Sequence, residues 1–383
     1  ALEGALASSG SVAIGYRAAQ NLTTGAYSIA IGQDALNDCT SGEKNIAIGY
    51  NALSLSVEGD ANTAVGYEAL KTTNEANQGE NTAIGFEAMK GATDPRRCTA
   101  VGNTALGADT LTGYDNVAVG YQAGKDMTSG NSNVLVGKSA GTAIIGGANN
   151  TFLGFEAGAA VEGGDSNTLI GHKAGETLVG GDHNVLIGQN AGAYESNAIT
   201  SGSQNVLIGN YNKVSANNVT NEIVLGYYVT GQGHDTVSFG YSTDDLSCSF
   251  HNTSWSNPSD GRYKEDIQDE VVGLDFINDL RPVTYLWKKE KDIPKEHASY
   301  VEDSDKRVMN GKYNHGFIAQ EVKESIDKHS GIKEGFSLWG EDATEDRQRV
   351  APSALVPMLT KAIQELSAKN EALEARVKEL EDA

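Results

Sequence analysis

The chain has 383 residues, 51 acidic against 29 basic, for a formal net charge of −22. That balance excludes a general nucleic-acid binder, which needs a basic face to displace counterions, and disfavours docking on anionic lipid; no apolar run approaches the ~18 residues of a membrane span. Composition changes near residue 250: 38 of the 45 glycines precede it, and charged residues number 34 before it and 46 after it, so two differently built parts are joined. The chain opens on Ala1 without the segments of a signal peptide, and with no initiator Met it reads as a processed or truncated piece. Cys39, Cys98 and Cys248 are odd in number and widely spaced, which reads as reduced core residues rather than a disulfide frame or metal set.

Through the first part an aliphatic residue, or Phe239 in the last unit, followed by Gly recurs fourteen times, at Gly15, Gly32, Gly49, Gly66, Gly85, Gly102, Gly120, Gly137, Gly154, Gly171, Gly188, Gly209, Gly226 and Gly240, most often 17 residues apart. Asn stands four before this Gly in nine units (Asn45, Asn62 and Asn81 are the first), and Ala stands three after it from Ala18 to Ala191. Short β-branched segments such as Ile46–Ile48 read as strands, and the intervening Gly, Asn, Ser, Thr and Asp as turns. A β-helix with an aliphatic residue every six or so positions does not fit, since six after Ile48 is Ser54 and six after Val65 is Lys71. One apolar strand per unit therefore predicts that several chains share one core. The Gly marks crowded backbone where no Cβ fits, and the Asn a rung-on-rung amide ladder.

Two before the Gly stands Ala, from Ala13 to Ala118, and then Leu135, Phe152, Leu169, Leu186, Leu207 and Val224. This predicts a core that is narrow in the first seven units and wider beyond. Aromatics just after the Gly (Tyr16, Tyr50, Tyr67, Phe86, Tyr121, Phe155) fit lateral packing better than stacking on sugar rings. Gly137-Lys138-Ser139 ends like a phosphate-binding loop but has Ser132 where the first Gly belongs, and Gly163-Gly164-Asp165 and Gly180-Gly181-Asp182 lack the period of calcium-binding repeats. The seven His show no ligand spacing, so no metal site and no cofactor are expected.

Asn81-Thr82-Ala83-Ile84-Gly85-Phe86-Glu87-Ala88 resembles the head repeat of trimeric autotransporter adhesins, which also occurs in phage tail fibres. The resemblance covers residues 11–240 and implies three chains in a left-handed parallel β-roll, with an outer turn longer than usual for that family. At about 4.8 Å per rung, thirteen steps span roughly 62 Å.

After Phe250 the period stops, and residues 251–258 read as a linker. Ser259-Asp260-Gly261-Arg262-Tyr263-Lys264, then Gly273-Leu274, Pro282-Val283, Tyr285, Trp287-Lys288 and His315-Gly316-Phe317-Ile318-Ala319-Gln320-Glu321-Val322, resemble in this order the C-terminal intramolecular chaperone of phage endosialidases and tail fibres. That resemblance implies a domain that trimerises, templates the β-structure before it and cuts itself off at the Ser259–Asp260 bond, with Ser259 as nucleophile and Lys264 as general base. Such a dyad needs a neutral amine, which asks for burial of the lysine. Ser and Lys five apart share no face of a regular helix or strand, so a turn or another chain must join them. His315 reads as structural.

The chain ends in a heptad pattern, with Val356, Ile363, Asn370 and Val377 at a and Leu359, Leu366, Leu373 and Leu380 at d. β-branched a with Leu at d leans towards two strands, but Arg376 before a and Glu381 after d resemble a trimer-specifying motif, and Asn370 in the core fixes register. With the three-chain shaft beside it, a trimer is expected.

The reading is a mainly β protein: a trimeric left-handed β-roll shaft of ~17-residue repeats (1–250) and a linker (251–258). A small α+β chaperone and autoprotease domain (259–352) and a trimeric coiled coil (353–383) follow. The expected protein is a homotrimeric tail fibre of a virion, made in the host cytoplasm. It would hold a host-surface receptor, glycan or protein, join other tail proteins through a missing N-terminal part, and contact neither nucleic acid nor membrane. Its one catalytic act would be to cut its own chain. The alternative is a bacterial trimeric surface adhesin with a non-cleaving chaperone; such adhesins end in a membrane β-barrel of alternating strands, whereas this sequence ends in a charged coiled coil. An endosialidase-like enzyme finds no support, because no paired carboxylates recur at a fixed place in the repeats.

Overall fold

The structure, a computed structural model, describes residues 10–73, 79–194, 198–242, 244–250, 259, 261–297, 299–332, 336–341 and 348–382. They form two compact units, residues 1–260 and 261–383. The expected linker, 251–258, lies outside the described residues.

The first unit is a β-solenoid. Twelve three-residue strands, from β1 (Val12–Ile14) to β12 (Val206–Ile208), are followed by β13 (Glu222–Tyr227) and β14 (Thr236–Tyr241). All fourteen pair in parallel, in chain order, with each unit in register with the next. β15 (Asp244–Ser249) turns back antiparallel on β14 and ends the sheet. The turns stack as the strands do: Asn51 N–H donates to Gln33 O (3.0 Å) and Leu53 N–H to Ala69 O (3.0 Å), so turn backbone is satisfied from rung to rung. The first twelve strands stop at their repeat Gly, and along the whole array this Gly has φ between 123° and 159°, a region closed to L side chains. A Cβ on Gly49 would stand 2.2 Å from the carbonyl oxygen of Gly66. Backbones do crowd at the Gly, but they are successive rungs of one chain.

The expectation that one chain cannot close its own core is corrected. Ala47 from the strand, with Ala52, Leu53 and Ser56 from the following turn, is wholly or nearly wholly buried within a single chain, and the same positions line one continuous core along the array. The closing residue was hidden by its conformation. Leu36, Leu53, Leu70, Met89 and Leu106, four after the Gly, sit at φ of 47–53°, where bulky residues are rare, and from there they point inward.

The widening predicted after the seventh unit is corrected too. Where the strand residue changes from Ala to Leu or Phe, the residue four after the Gly changes from Leu or Met to Gly124, Gly141, Gly158, Gly175 and Gly192. A Cβ on Gly158 would lie 2.7 Å from the Phe152 ring, and one on Gly175 3.0 Å from Leu169 and Leu186. Volume has moved across the core from turn to strand, and the close-packed interior keeps its content. The change of type falls on Gly124, whose missing side chain leaves room for Leu106 on one side and Leu135 on the other.

The amide ladder is present as expected. Asn150 Nδ2 donates to Asn133 Oδ1 (3.1 Å) and to Gly164 O (2.8 Å), while Asn150 Oδ1 accepts the backbone N–H of Asn167 (2.9 Å). Cys98 takes one rung and Glu222 the last. Glu222 is fully buried, and its carboxylate accepts the N–H groups of Ser215 (3.0 Å) and Gly233 (2.8 Å), a change from amide to acceptor where the turn offers only donors. Cys39 and Cys98 are buried free thiols, the first pushed up to about 11 by burial, in keeping with reduced core residues. Tyr50, Tyr67 and Phe86 stack on one another with centroids 5.1 and 5.2 Å apart, so their faces are turned to each other, as lateral packing requires.

The second unit holds α1 (Leu274–Asp279), α2 (Ala319–Lys328), α3 (Val356–Glu381) and two antiparallel strand pairs, β16 (Val283–Tyr285) with β17 (Asn314–Gly316) and β18 (Trp339–Glu341) with β19 (Gln348–Val350). Its core gathers Phe276, Val322, Leu338, Leu355 and Met358. The Ser325 hydroxyl lies 3.1 Å from Asp279 O and His329 Nε2 lies 2.9 Å from Asp279 Oδ2, fastening α2 to the end of α1.

Two predictions follow from the shaft. Leu169→Ala should cost about 2–5 kcal/mol and Gly175→Leu about 1–3 kcal/mol; the double variant, which rebuilds the earlier rung type, should cost less than their sum by about 0.5–3 kcal/mol in chemical denaturation. Glu68, 7% exposed, lies 2.8 Å from both Lys71 and Lys90, whose ammonium groups hold its carboxyl at about 2, below an ordinary 4.5. A depressed carboxyl stabilises above its unfolded value and loses that contribution as pH falls through its folded one. The melting-temperature advantage of wild type over Glu68→Gln should therefore be full above pH 4.5 and vanish by about pH 2.

Candidate functional site

The start of the second unit is a single 3₁₀ turn, Gly261–Tyr263, closed by the Lys264 N–H donating to Gly261 O at 3.2 Å. Ser259 is exposed, and so is Lys264; Asp260, on the other side of the expected scissile bond, lies outside the described residues. The division between the compact units falls between the two dyad residues, Ser259 in the first and Lys264 in the second, so neither unit by itself contains both. His315 sits exposed on β17 and lines an open groove of about 1030 Å³ with Tyr285, Trp287, Phe317 and Arg349, all within the second unit.

The expected heptad positions lie on α3, a continuous helix with Pro357 in its first turn, where proline fits. Two faces of this helix differ. Leu355, just before it, and Met358 and Ala362 are buried in the domain core. The a and d residues Val356, Leu359, Ile363, Leu366, Leu373, Val377 and Leu380 are all exposed, Ile363 at 66%. Asn370 Nδ2 donates to Glu374 Oε1 (2.8 Å), and Arg376 pairs with Glu379 (2.9 Å) along the same helix; Glu381 is exposed. Among the described residues no helix is long and apolar enough to cross a membrane, and no group of three His, Cys, Asp or Glu gathers where it could hold a metal ion.

Sequence reasoning left two features unread. One is Glu222, readable as the acidic residue standing four before Gly226 where Asn is usual. The other is the bond from the Leu274 N–H to Glu365 Oε2 (2.9 Å), which joins residues 91 apart and has no periodic signal.

Residues 259–331 match the sequence model of the family described as chaperone of endosialidase, a family of self-cleaving intramolecular chaperones. The matched stretch begins at Ser259 and stops before α3. No curated protein and no solved structure matches the chain. A β-solenoid followed by a stretch that matches this family is a tail-fibre-like build.

Proposed function

We propose that the chain is the shaft and assembly domain of a homotrimeric viral tail fibre that attaches to a host-surface receptor, and that it frees its shaft by cutting at Ser259–Asp260. The observation that carries this reading is a pair of apolar surfaces left without partners. On the solenoid, the residues one before the Gly point outward from the sheet: Ile14, Ile48, Ile84, Leu153, Ile208 and Leu225 are 36–59% exposed, and Ile31, Val65 and Ile170 between them are half-buried. On α3, the a/d seam is exposed over seven turns. A continuous apolar sheet face and a coiled-coil seam on one chain are both covered by further copies of that chain. The exposed catalytic candidates fit the same picture, since packing between chains would bury Lys264 and bring a base to Ser259.

In the proposed reaction the neutral Lys264 amine takes the proton of Ser259 Oγ, and the oxygen adds to the Ser259 carbonyl carbon. The C–N bond to Asp260 breaks, and that nitrogen leaves as an amine carrying the transferred proton. The acyl species is the four-membered lactone closed within Ser259, and water adds to its carbonyl carbon and breaks the C–Oγ bond, restoring the hydroxyl and giving a shaft that ends in a carboxylate at Ser259. The proposed alignment machinery lies C-terminal to the cut, so its loss after folding would leave a shaft whose persistence is kinetic.

Light scattering on native material should give the mass of three chains. Denaturing gels and intact mass of freshly folded wild type should show a fragment ending at residue 259, whereas Ser259→Ala and Lys264→Ala should give folded trimers of full-length chain. A monomer sinks the fibre reading; equal cutting of wild type and Ser259→Ala removes Ser259 as nucleophile; an intact wild type under all conditions leaves a chaperone without a protease.

A further inference from the structure

The helix that carries the apolar seam is also tied, by one carboxylate, to the segment that follows the proposed cleavage site. α1 begins at Gly273 without any side-chain cap of its own. Its first helical N–H, that of Leu274, instead donates to Glu365 Oε2 of α3 at 2.9 Å. The fit is tight: a Cβ on Gly273 would stand 2.8 Å from Glu365 Oε1 and from Lys361 Cγ. Leu355, Met358, Ala362 and Glu365 follow one another at spacings of three, four and three, so they form one face of the helix, beside the a/d seam. Glu365 is the last residue of α3 that is not exposed; from Leu366 onward every described residue faces water. The docked stretch of α3 therefore ends at this bond, and beyond it the helix carries only its seam.

We infer that Glu365 is a positioning residue that couples assembly of the α3 helices to the cleavage segment, an inference that rests on the self-cleaving trimer proposed above. Lys264 lies ten residues before Leu274, with no helix or sheet between them. Fixing the start of α1 on α3 fixes the near end of that tether. When α3 is gripped by two other copies, the same grip holds α1 and so fixes the point from which the chain runs back to Lys264. A carboxylate suits the role, because it accepts a helix N-terminal N–H more strongly than a neutral acceptor does.

The test uses the full chain. Glu365→Ala should still give trimers by light scattering but cut at least about tenfold more slowly, the scale of one charge-assisted hydrogen bond. Glu365→Gln keeps an acceptor oxygen and should recover most of the rate, and Gly273→Ala should slow cutting as Glu365→Ala does. A merely structural role would lower trimer and cutting together and give no recovery with Gln. Wild-type cutting by a trimeric Glu365→Ala, or loss of the trimer in that variant, overturns the inference. If wild type itself is never cut, the self-cleaving reading fails, and amide exchange at Leu274 judges the latch alone: faster exchange by about tenfold in Glu365→Ala supports it, and equal exchange overturns it.

Discussion

The shaft depends on one close contact, the approach of each repeat Gly to the Gly carbonyl of the next rung. At Gly49 a single added carbon would sit 2.2 Å from its neighbour's oxygen, and the same holds with small variation along the array. Because the contact is backbone on backbone, no rearrangement of side chains relieves it. It fixes the stacking distance and ends the first twelve strands after three residues. It also sets every turn above the equivalent turn, which is what lets the turns bond to each other and the asparagines form their ladder. A solenoid with so little strand is held by this register more than by its sheet.

Within that frame the core is free to vary, provided its volume does not. The early units place a bulky residue in a left-handed turn position and Ala on the strand; the later ones place Gly in the turn and the bulk on the strand. The later solution relieves the strain of holding Leu at positive φ. Gly124 shows that the exchange operates between neighbouring rungs, since its space is shared by Leu106 from one side and Leu135 from the other. The outer face of the sheet does not take part in the change: Ile, Val or Leu stand before the Gly in both halves.

The strands, their number and the ladder were legible in the sequence because each rests on a single residue type at a fixed offset, with a steric or hydrogen-bonding reason that needs no distant partner. The closure of the core was not. It depends on leucines such as Leu36 and Leu53 in a backbone conformation that local propensity disfavours, so they read as part of a polar turn. The seam on α3 was legible from heptad spacing, and the structure leaves it exposed. Ser259 and Lys264 were named through a resemblance, and the family match begins at the first of them. What could not be read was how the second unit ties its own ends together, since the Glu365 bond to Leu274 spans 91 residues and repeats nowhere.

These two kinds of order explain why such a shaft needs a different domain behind it. For three chains packed through the outer sheet face, fourteen nearly equivalent rungs offer fourteen nearly equivalent alignments. A slip by one rung keeps every side chain on its proper face, unlike a slip of one residue in an ordinary sheet, and forfeits contact only at the ends. Two features that distinguish one rung from another, the exchange of bulk at Gly124 and the buried Glu222, lie inside each chain. Long-range pairing of this sort is also slow to begin. Register between chains must therefore come from an element without a 17-residue period. α3 is such an element, with a seven-residue period of its own and a single buried-type polar position, Asn370, to reject shifted pairings. In the proposed trimer α3, tied to its own domain through α1, would set the alignment that the repeats maintain but cannot choose.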